Sequence, residues 1–432
     1  MPSCPALFIG AMASGQGKTT ITAALARAHR RRGLRVRIFK TGPDFLDPTI
    51  LERASGASVD SLDLWMVGET HCRQLLADAA RDADLILVEG MMGLFDGTPS
   101  GADLAKRFGL PVAAVIDAQA MAQTFGAVAL GLARFDASLA FHGVFANRVG
   151  SDYHARMLED ALPKEVRWLG HVPGTPDIAL PERHLGLHSA GEIDDLDARI
   201  DRAADALEPT ALAKLPPPVD FDAPPASALP RLLDGVHVAV AQDAAFSFVY
   251  PANLRLLVSL GARVSTFSPL ADEPLPAGAD ALYLPGGYPE LHASTLARHR
   301  RTADAVRAHA AAGRPLFAEC GGMLYLLDTL TDSAGVTTPM LGLLPGHATL
   351  STRLAALGMQ SIVGKHGEMR GHTFHYSHID TALAPILTAR HAQSDAPGEP
   401  LYRHGAIVAS YLHGYWPSNP AFAAALFHGD AI

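Results

Sequence analysis

Residues 6–20 read ALFIGAMASGQGKTT. Ala6–Ile9 is a short apolar run of the kind a buried strand presents. From Thr20 to Arg32 the small and apolar residues Ile21, Ala24, Leu25 and Ala28 fall on one helix face, and Gly33 supplies a C-cap. Between strand and helix lies a glycine loop ending Gly17-Lys18-Thr19. In that context the N–H groups of Ser14, Gly15, Gln16 and Gly17 close around phosphate oxygens. Lys18 reaches the terminal phosphates, the Thr19 hydroxyl ligates Mg²⁺, and Thr20 opens the helix beneath the nucleotide. The strict phosphate-loop pattern wants Gly where Met12 stands, but its tail is intact. ATP with Mg²⁺ is the expected ligand.

Working outward, the apolar runs Val36–Phe39, Leu85–Val88 and Val112–Ile116 predict further strands, with helical text between them. Acids stand where two of these strands end. KTGPDFLDP (40–48) follows the second strand, and its Asp44 and Asp47 hold Mg²⁺ or orient substrate, or else cap a turn; the Mg²⁺ ligands expected are Thr19, Asp44 and Glu89. VEGMMGLFDG (88–97) follows the third, with Glu89 as a metal-site acid of a phosphate-loop enzyme and Asp96 in a loop kept close to ligand by glycines. Asn147, in FANRVG (145–150), either reads a purine edge or makes an Asx turn. Arg30, Arg31 and Arg32 end the first helix and read as a solvated basic face favoured by the helix dipole.

A chain of 432 residues exceeds one ordinary core, so two or three domains are expected. KLPPPVDFDAPPASALP (214–230) reads as a linker, giving domains at 1–213 and 234–432 with the linker at 214–233. Strands at Val236–Ala241, Val264–Phe267, Ala281–Leu284, Pro315–Ala318 and Ile407–Tyr411 continue the alternation. The fold class is therefore α/β, with two doubly wound, mostly parallel-sheet domains. A net charge of -9 argues against nucleic acid as partner. No apolar stretch is long enough for a membrane span, and no leader pattern precedes the first strand, so the cytoplasm is the expected compartment. Three scattered cysteines, Cys4, Cys72 and Cys320, make neither a disulfide framework nor a zinc pattern. The 20 histidines contain no HExxH motif; the densest group, His366 to His378, needs a converging geometry to bind metal.

In the second half, LPGGYPE (284–290) stands at one strand end and AECGGM (318–323) at another. A cysteine between strand and helix, flanked by small residues, is the elbow that presents a nucleophile. Cys320 is expected to stand exposed there, with the helix dipole favouring thiolate. His413, in SYLHGY (410–415), is the candidate base and acid for it, and the amides around Gly286 and Gly287 are the candidate oxyanion site.

Together ASGQGKTT, KTGPDFLDP, VEGMMGLFDG, LPGGYPE, AECGGMLYL and RGHTFHYS resemble the cobyrinate a,c-diamide synthase family of corrinoid biosynthesis, and FSFVYPANL (246–254) is similar to that family's entry to its second domain. The resemblance spans nearly the whole chain. It implies an N-terminal domain similar to dethiobiotin synthetase and a C-terminal domain similar to class I glutamine amidotransferases. It also implies ATP- and glutamine-dependent amidation of the a and c acetates of cobyrinate or hydrogenobyrinate, on the route to cobalamin. Lys40, Asp47, Asp96 and Tyr250 are then assigned to the corrinoid substrate. Triad-type relatives carry an acid two residues after the histidine, where this chain has Tyr415, and many have Gly where Ala318 stands. His372, His375 and Tyr376 either meet substrate carboxylates or shape a domain interface. Cobyrate-synthase-type amidation of other side chains is the rival activity. A regulatory P-loop ATPase with an inactive amidotransferase-like domain is the rival class. Oligomeric state stays open, a homodimer being one option.

Overall fold

The N-terminal apolar run forms strand β1 (Ser3–Ala11), whose last six residues are all buried. The computed structural model describes residues 1–181, 189–225, 228–394 and 396–432, which form two compact units, Met1–Ala226 and Ser227–Ile432.

In the first unit β1 is joined by β2 (Val36–Thr41), β3 (Asp60–Leu62), β4 (Leu85–Glu89), β5 (Val112–Asp117), β6 (Phe141–Val149), β7 (Trp168–Pro173) and β8 (Pro218–Asp220). The sheet order is β3-β2-β4-β1-β5-β6-β7, all parallel, and β8 adds an antiparallel pairing to the start of β1. Its central strands are apolar on both faces because both faces are covered. Alternate residues of β5 show this: Ala113 and Val115 join one core with Ile21 and Leu25, while Ala114 and Ile116 join another with Phe125 and Leu158. Helix α1 (Lys18–Arg31) follows β1 directly, so the phosphate loop sits at the carboxyl end of a central strand. The arginines at its end are not merely solvated: Arg31 and Arg32 meet Asp205 and Glu208 at 2.7 and 3.1 Å.

The Pro-rich linker text also proved partly regular. Pro218–Asp220 pairs with Ser3–Pro5, a position that tolerates proline because the segment has a strand on one side only.

The second unit holds a ten-stranded sheet. β9 (His237–Ala241), β10 (Arg263–Phe267), β11 (Ala281–Leu284) and β12 (Leu316–Glu319) are parallel in the order β10-β9-β11-β12, followed by the parallel strand Ile407–Ser410. Beyond it the sheet turns antiparallel through Pro397–His404, Pro385–His391, Ala356–Gly364, Gly367–His375 and the two-residue strand His413–Gly414. The mostly parallel expectation thus describes only the half that carries the elbow. The antiparallel half has broken alternation and exposed apolar side chains, such as Leu357 and Val363, which weaken its period-two signal. No helix among the described residues is long and apolar enough to cross a membrane.

Candidate functional site

The phosphate loop is shaped by glycine at two left-handed positions, Gly15 (φ 74°) and Gly17 (φ 87°). Gly17 is required twice, because a Cβ there would fall 2.1 Å from Asn147 Nδ2. The loop is braced from neighbouring strand ends. Asn147 Nδ2 donates to the Gln16 carbonyl (2.9 Å), and Gln16 Oε1 accepts from the Asp117 N–H (2.9 Å). Asn147 Oδ1 accepts from the Arg148 N–H. Asn147 thus braces the loop and also lines the cavity above it, with one Nδ2 hydrogen and one Oδ1 lone pair beyond these two bonds. Lys18 Nζ donates to the carbonyls of Ala13 (3.1 Å) and Met92 (2.7 Å), curled over the loop. Burial, helped by the charge of Lys40, brings its ammonium down to about 8. A cavity of about 800 Å³ opens here, lined by Ser14, Gly15, Gly17, Lys18, Thr19 and Thr20 on one side.

Beneath Thr19 lies a buried charge cluster. Thr19 Oγ1 is 2.9 Å from Glu89 Oε1 and 3.3 Å from Asp47 Oδ2. Lys40 Nζ donates to both carboxylates at 2.6 Å and stands 3.6 Å from Asp44. Asp44 spends Oδ1 on the N–H groups of Leu46 and Asp47, an Asx turn leading into the helix Asp47–Ser55. Asp47, and not the Asp44 expected beside Thr19 and Glu89, is the acid within reach of the Thr19 hydroxyl. Burial, reinforced by Asp47's charge, pushes Asp44 up to about 7. Burial also opposes charge on Asp47, but Lys40 outweighs it and holds that carboxyl below its usual range. Lys40, assigned above to substrate, is neutralised by acids of its own chain. Glu89 Oε2 is buried without a hydrogen-bond partner, an orphaned anionic oxygen beside the Thr19 hydroxyl. That donor set suits a hard divalent cation completed by nucleotide phosphates. Asp96 folds back on its own turn, accepting the Gly93 N–H at 2.8 Å.

In the second unit, Cys320 follows β12 with φ 44° and ψ −111°, and the helix Gly321–Leu326 begins at the next residue. A non-glycine residue held in that region is strained, and strain of this kind marks a nucleophile elbow. The turn is tight because Gly321 and Gly322 lie against the LPGG loop; a Cβ on either would meet Gly287 or Leu284 backbone at 2.9 Å or less. The thiol is buried, contrary to the exposure expected from the elbow. Cys320 is only 6% accessible, and burial, then the charge of Glu290, pushes its thiol up despite the helix start.

His413 is 1% accessible. β12 is flanked by β11, which leads into Gly286 and Gly287, and by Ile407–Ser410, which leads to His413. The three expected groups therefore leave neighbouring strand ends. The imidazole lies so close to Gly286 that a Cβ there would be 2.4 Å from its Cε1. Its ring stacks on His372 (5.0 Å), itself 3.1 Å from the Tyr250 hydroxyl. Burial, then His375, lowers His413 to about 3. Tyr250, assigned to substrate, is buried against His372 and Tyr415 in the same cluster that encloses His413. His375 pairs with Glu399 (3.0 Å) and stacks on Tyr411, so neither it nor His372 is a surface ligand. The residue missed in the sequence is Glu319, immediately before the thiol, whose Oε2 lies 4.0 Å from His413 Nδ1. Its only sequence signal was an acid ending an otherwise apolar strand. Among the described residues no three His, Cys, Asp or Glu side chains group as a metal site by themselves.

A phosphate-binding unit and a cysteine-elbow unit in one chain define the class: a nucleotide-dependent glutamine amidotransferase. Residues 7–187 match the CobQ/CobB/MinD/ParA nucleotide binding domain, and residues 237–421 match the CobB/CobQ-like glutamine amidotransferase domain. Hydrogenobyrinate a,c-diamide synthase of Pseudomonas aeruginosa is 58% identical over 98% of this chain and 97% of its own length. The enzyme of that name from Stutzerimonas stutzeri is also 58% identical, over 98% of each chain. Cobyrinate a,c-diamide synthase of Herminiimonas arsenicoxydans is 50% identical over 98% of this chain and 96% of its own. The chain belongs to the cobyrinate/hydrogenobyrinate a,c-diamide synthase family.

Proposed function

We propose that this protein uses ATP and glutamine to convert the a and c acetates of hydrogenobyrinate to amides in cobalamin biosynthesis, working in the cytoplasm and as a homodimer. The two relatives at 58% identity carry the cobalt-free substrate in their names, which favours it over cobyrinate. The observation that carries the reading is the strained Cys320 elbow in a chain that also holds an intact Gly17-Lys18-Thr19 loop.

ATP lies over residues 14–20, its phosphates against Lys18. Thr19, Asp47 and Glu89 are the residues that would hold Mg²⁺, which supplies charge neutralisation to the phosphates. A substrate acetate oxygen attacks the γ-phosphorus, the bond to the β-phosphate oxygen breaks, and ADP leaves. The resulting acyl phosphate carries a leaving group that a free carboxylate lacks. In the second unit the Cys320 sulfur attacks the glutamine carboxamide carbon while His413 takes the thiol proton. The Gly286–Gly287 backbone stabilises the oxyanion. Ammonia leaves, water releases glutamate from the thioester, and the ammonia displaces phosphate from the acyl phosphate.

The buried thiol and low-pKa imidazole give a neutral pair at rest. That state suits a site which activates only when glutamine replaces local solvent.

Mass spectrometry after incubation with hydrogenobyrinate, ATP, Mg²⁺ and glutamine tests the proposal. Two successive replacements of a carboxyl OH by NH₂ are expected. Unchanged substrate, with cobyrinate converted instead, would move the assignment to the cobalt form. Amidation at other side chains would favour the cobyrate-type activity. Light scattering of the purified protein tests the homodimer.

A further inference from the structure

His413 must become a cation during thioester formation, yet it is enclosed. Its ring faces His372 from the strand Gly367–His375, Phe248 and Gly286 from loops, and Glu319 from the end of β12. Of the charged groups around it, His372 is neutral by burial and already engages Tyr250. Glu399 is taken up by Thr373 and His375, and Glu290 acts on the thiol. Tyr415, where a triad acid would stand, packs on Tyr250. Glu319 remains.

Burial pushes Glu319 up to about 7, and hydrogen-bond donors oppose that by favouring its carboxylate. Tyr283 donates its hydroxyl to Oε2 at 2.6 Å, and the Gly414 N–H donates to Oε1 at 3.1 Å. Gly414 follows His413, so one carboxylate grips the histidine's backbone and faces its ring nitrogen. We propose that Glu319 is the positioning residue of His413, replacing the missing acid at position 415 by a carboxylate from the residue before the thiol. This rests on the reading of Cys320 as nucleophile and His413 as its base.

The proton balance is simple. The S–H proton passes to Nε2 while the sulfur electron pair attacks carbon; Nδ1 keeps its proton, with Glu319 Oε2 at the ion-pair distance of 4.0 Å. The imidazolium later protonates the departing ammonia. Glu319 exchanges no proton; it orients the ring and balances its charge.

The test uses the full chain and separates glutamine hydrolysis from ammonium-driven synthesis. Glu319→Gln keeps the shape and one acceptor oxygen, replaces the other by NH₂ and removes the charge. Its kcat for glutamine hydrolysis is expected to fall about 100-fold or more, in the range for losing general acid–base function. KM for glutamine and ammonium-driven synthesis hold, and Glu319→Asp recovers part of the rate. Tyr283→Phe leaves the carboxylate but strips a donor that favours its ionised form. The acid limb of its kcat–pH profile therefore moves to higher pH.

A Glu319→Gln enzyme with near-normal kcat overturns the assignment. So does a Tyr283→Phe profile that does not move, which decides the matter if the first variant fails to fold. Cys320→Ala separates the two levels. If it still hydrolyses glutamine, the thiol reading falls and this one with it. If it does not, while Glu319→Gln does, only the role of Glu319 is lost.

Discussion

Gly286→Ala makes the sharpest test of the elbow geometry. The backbone there is not in the left-handed region, so alanine is conformationally permitted and only space is at issue. The added Cβ would lie 2.4 Å from His413 Cε1 and 3.3 Å from Phe248 Cβ, where ordinary contact begins at 3.4 Å. The imidazole must retreat by about 1 Å, a displacement that costs about 100-fold when it misaligns a reacting pair. Retreat is resisted by the stacked His372 ring and by enclosure at 1% accessibility. Overpacking should also cost about 1–3 kcal/mol of stability. The assay is kcat for glutamine hydrolysis beside ammonium-driven synthesis, with a urea melt as control. A variant within a few-fold of the parent in glutaminase rate would refute the argument that His413 works from its observed position. An equal loss in both activities would refute the claim that the effect is local.

Three further outcomes are expected. Cys320→Ala should lose glutamine-dependent synthesis and keep synthesis with ammonium salts; loss of both in a folded protein would break the division of labour. Lys40→Met leaves Asp47 and Glu89 as uncompensated buried acids, so urea melts should report a loss of about 3–5 kcal/mol, and unchanged stability would contradict the charge cluster. His413 is neutral in the fold, with its pKa lowered to about 3. Its contribution is therefore full above the unfolded value and lost as pH falls toward the folded one. Between pH 7 and pH 5 this group should cost about 2 kcal/mol that His413→Gln does not lose. Parallel stability–pH curves for the two proteins would show that the imidazole is not held neutral.

The sequence determined the parts whose signals are local. A strand, a glycine loop and a helix lie within Ala6–Arg32, so the phosphate site was legible because its chemistry is carried by consecutive backbone N–H groups. The same holds for Glu319-Cys320-Gly321-Gly322, where one residue in a strained conformation needs small neighbours immediately beside it. All nine strands expected from apolar runs formed; most are buried parallel strands that are apolar without interruption, while the edge strand Arg263–Phe267 is polar and partly exposed.

Tertiary structure decided whatever depends on residues far apart in the chain. Asp44 and Asp47 are equivalent as text; only the fold sets one in an Asx turn and the other toward Thr19. That Asn147 also braces the loop through Gln16 is visible only in the fold. Burial of the Cys320 thiol outweighs a helix dipole that the sequence alone places beside it. Glu319 and His413 meet only because β12 and the strand Ile407–Ser410 run side by side, and pairing across a sheet leaves no mark on the order of residues.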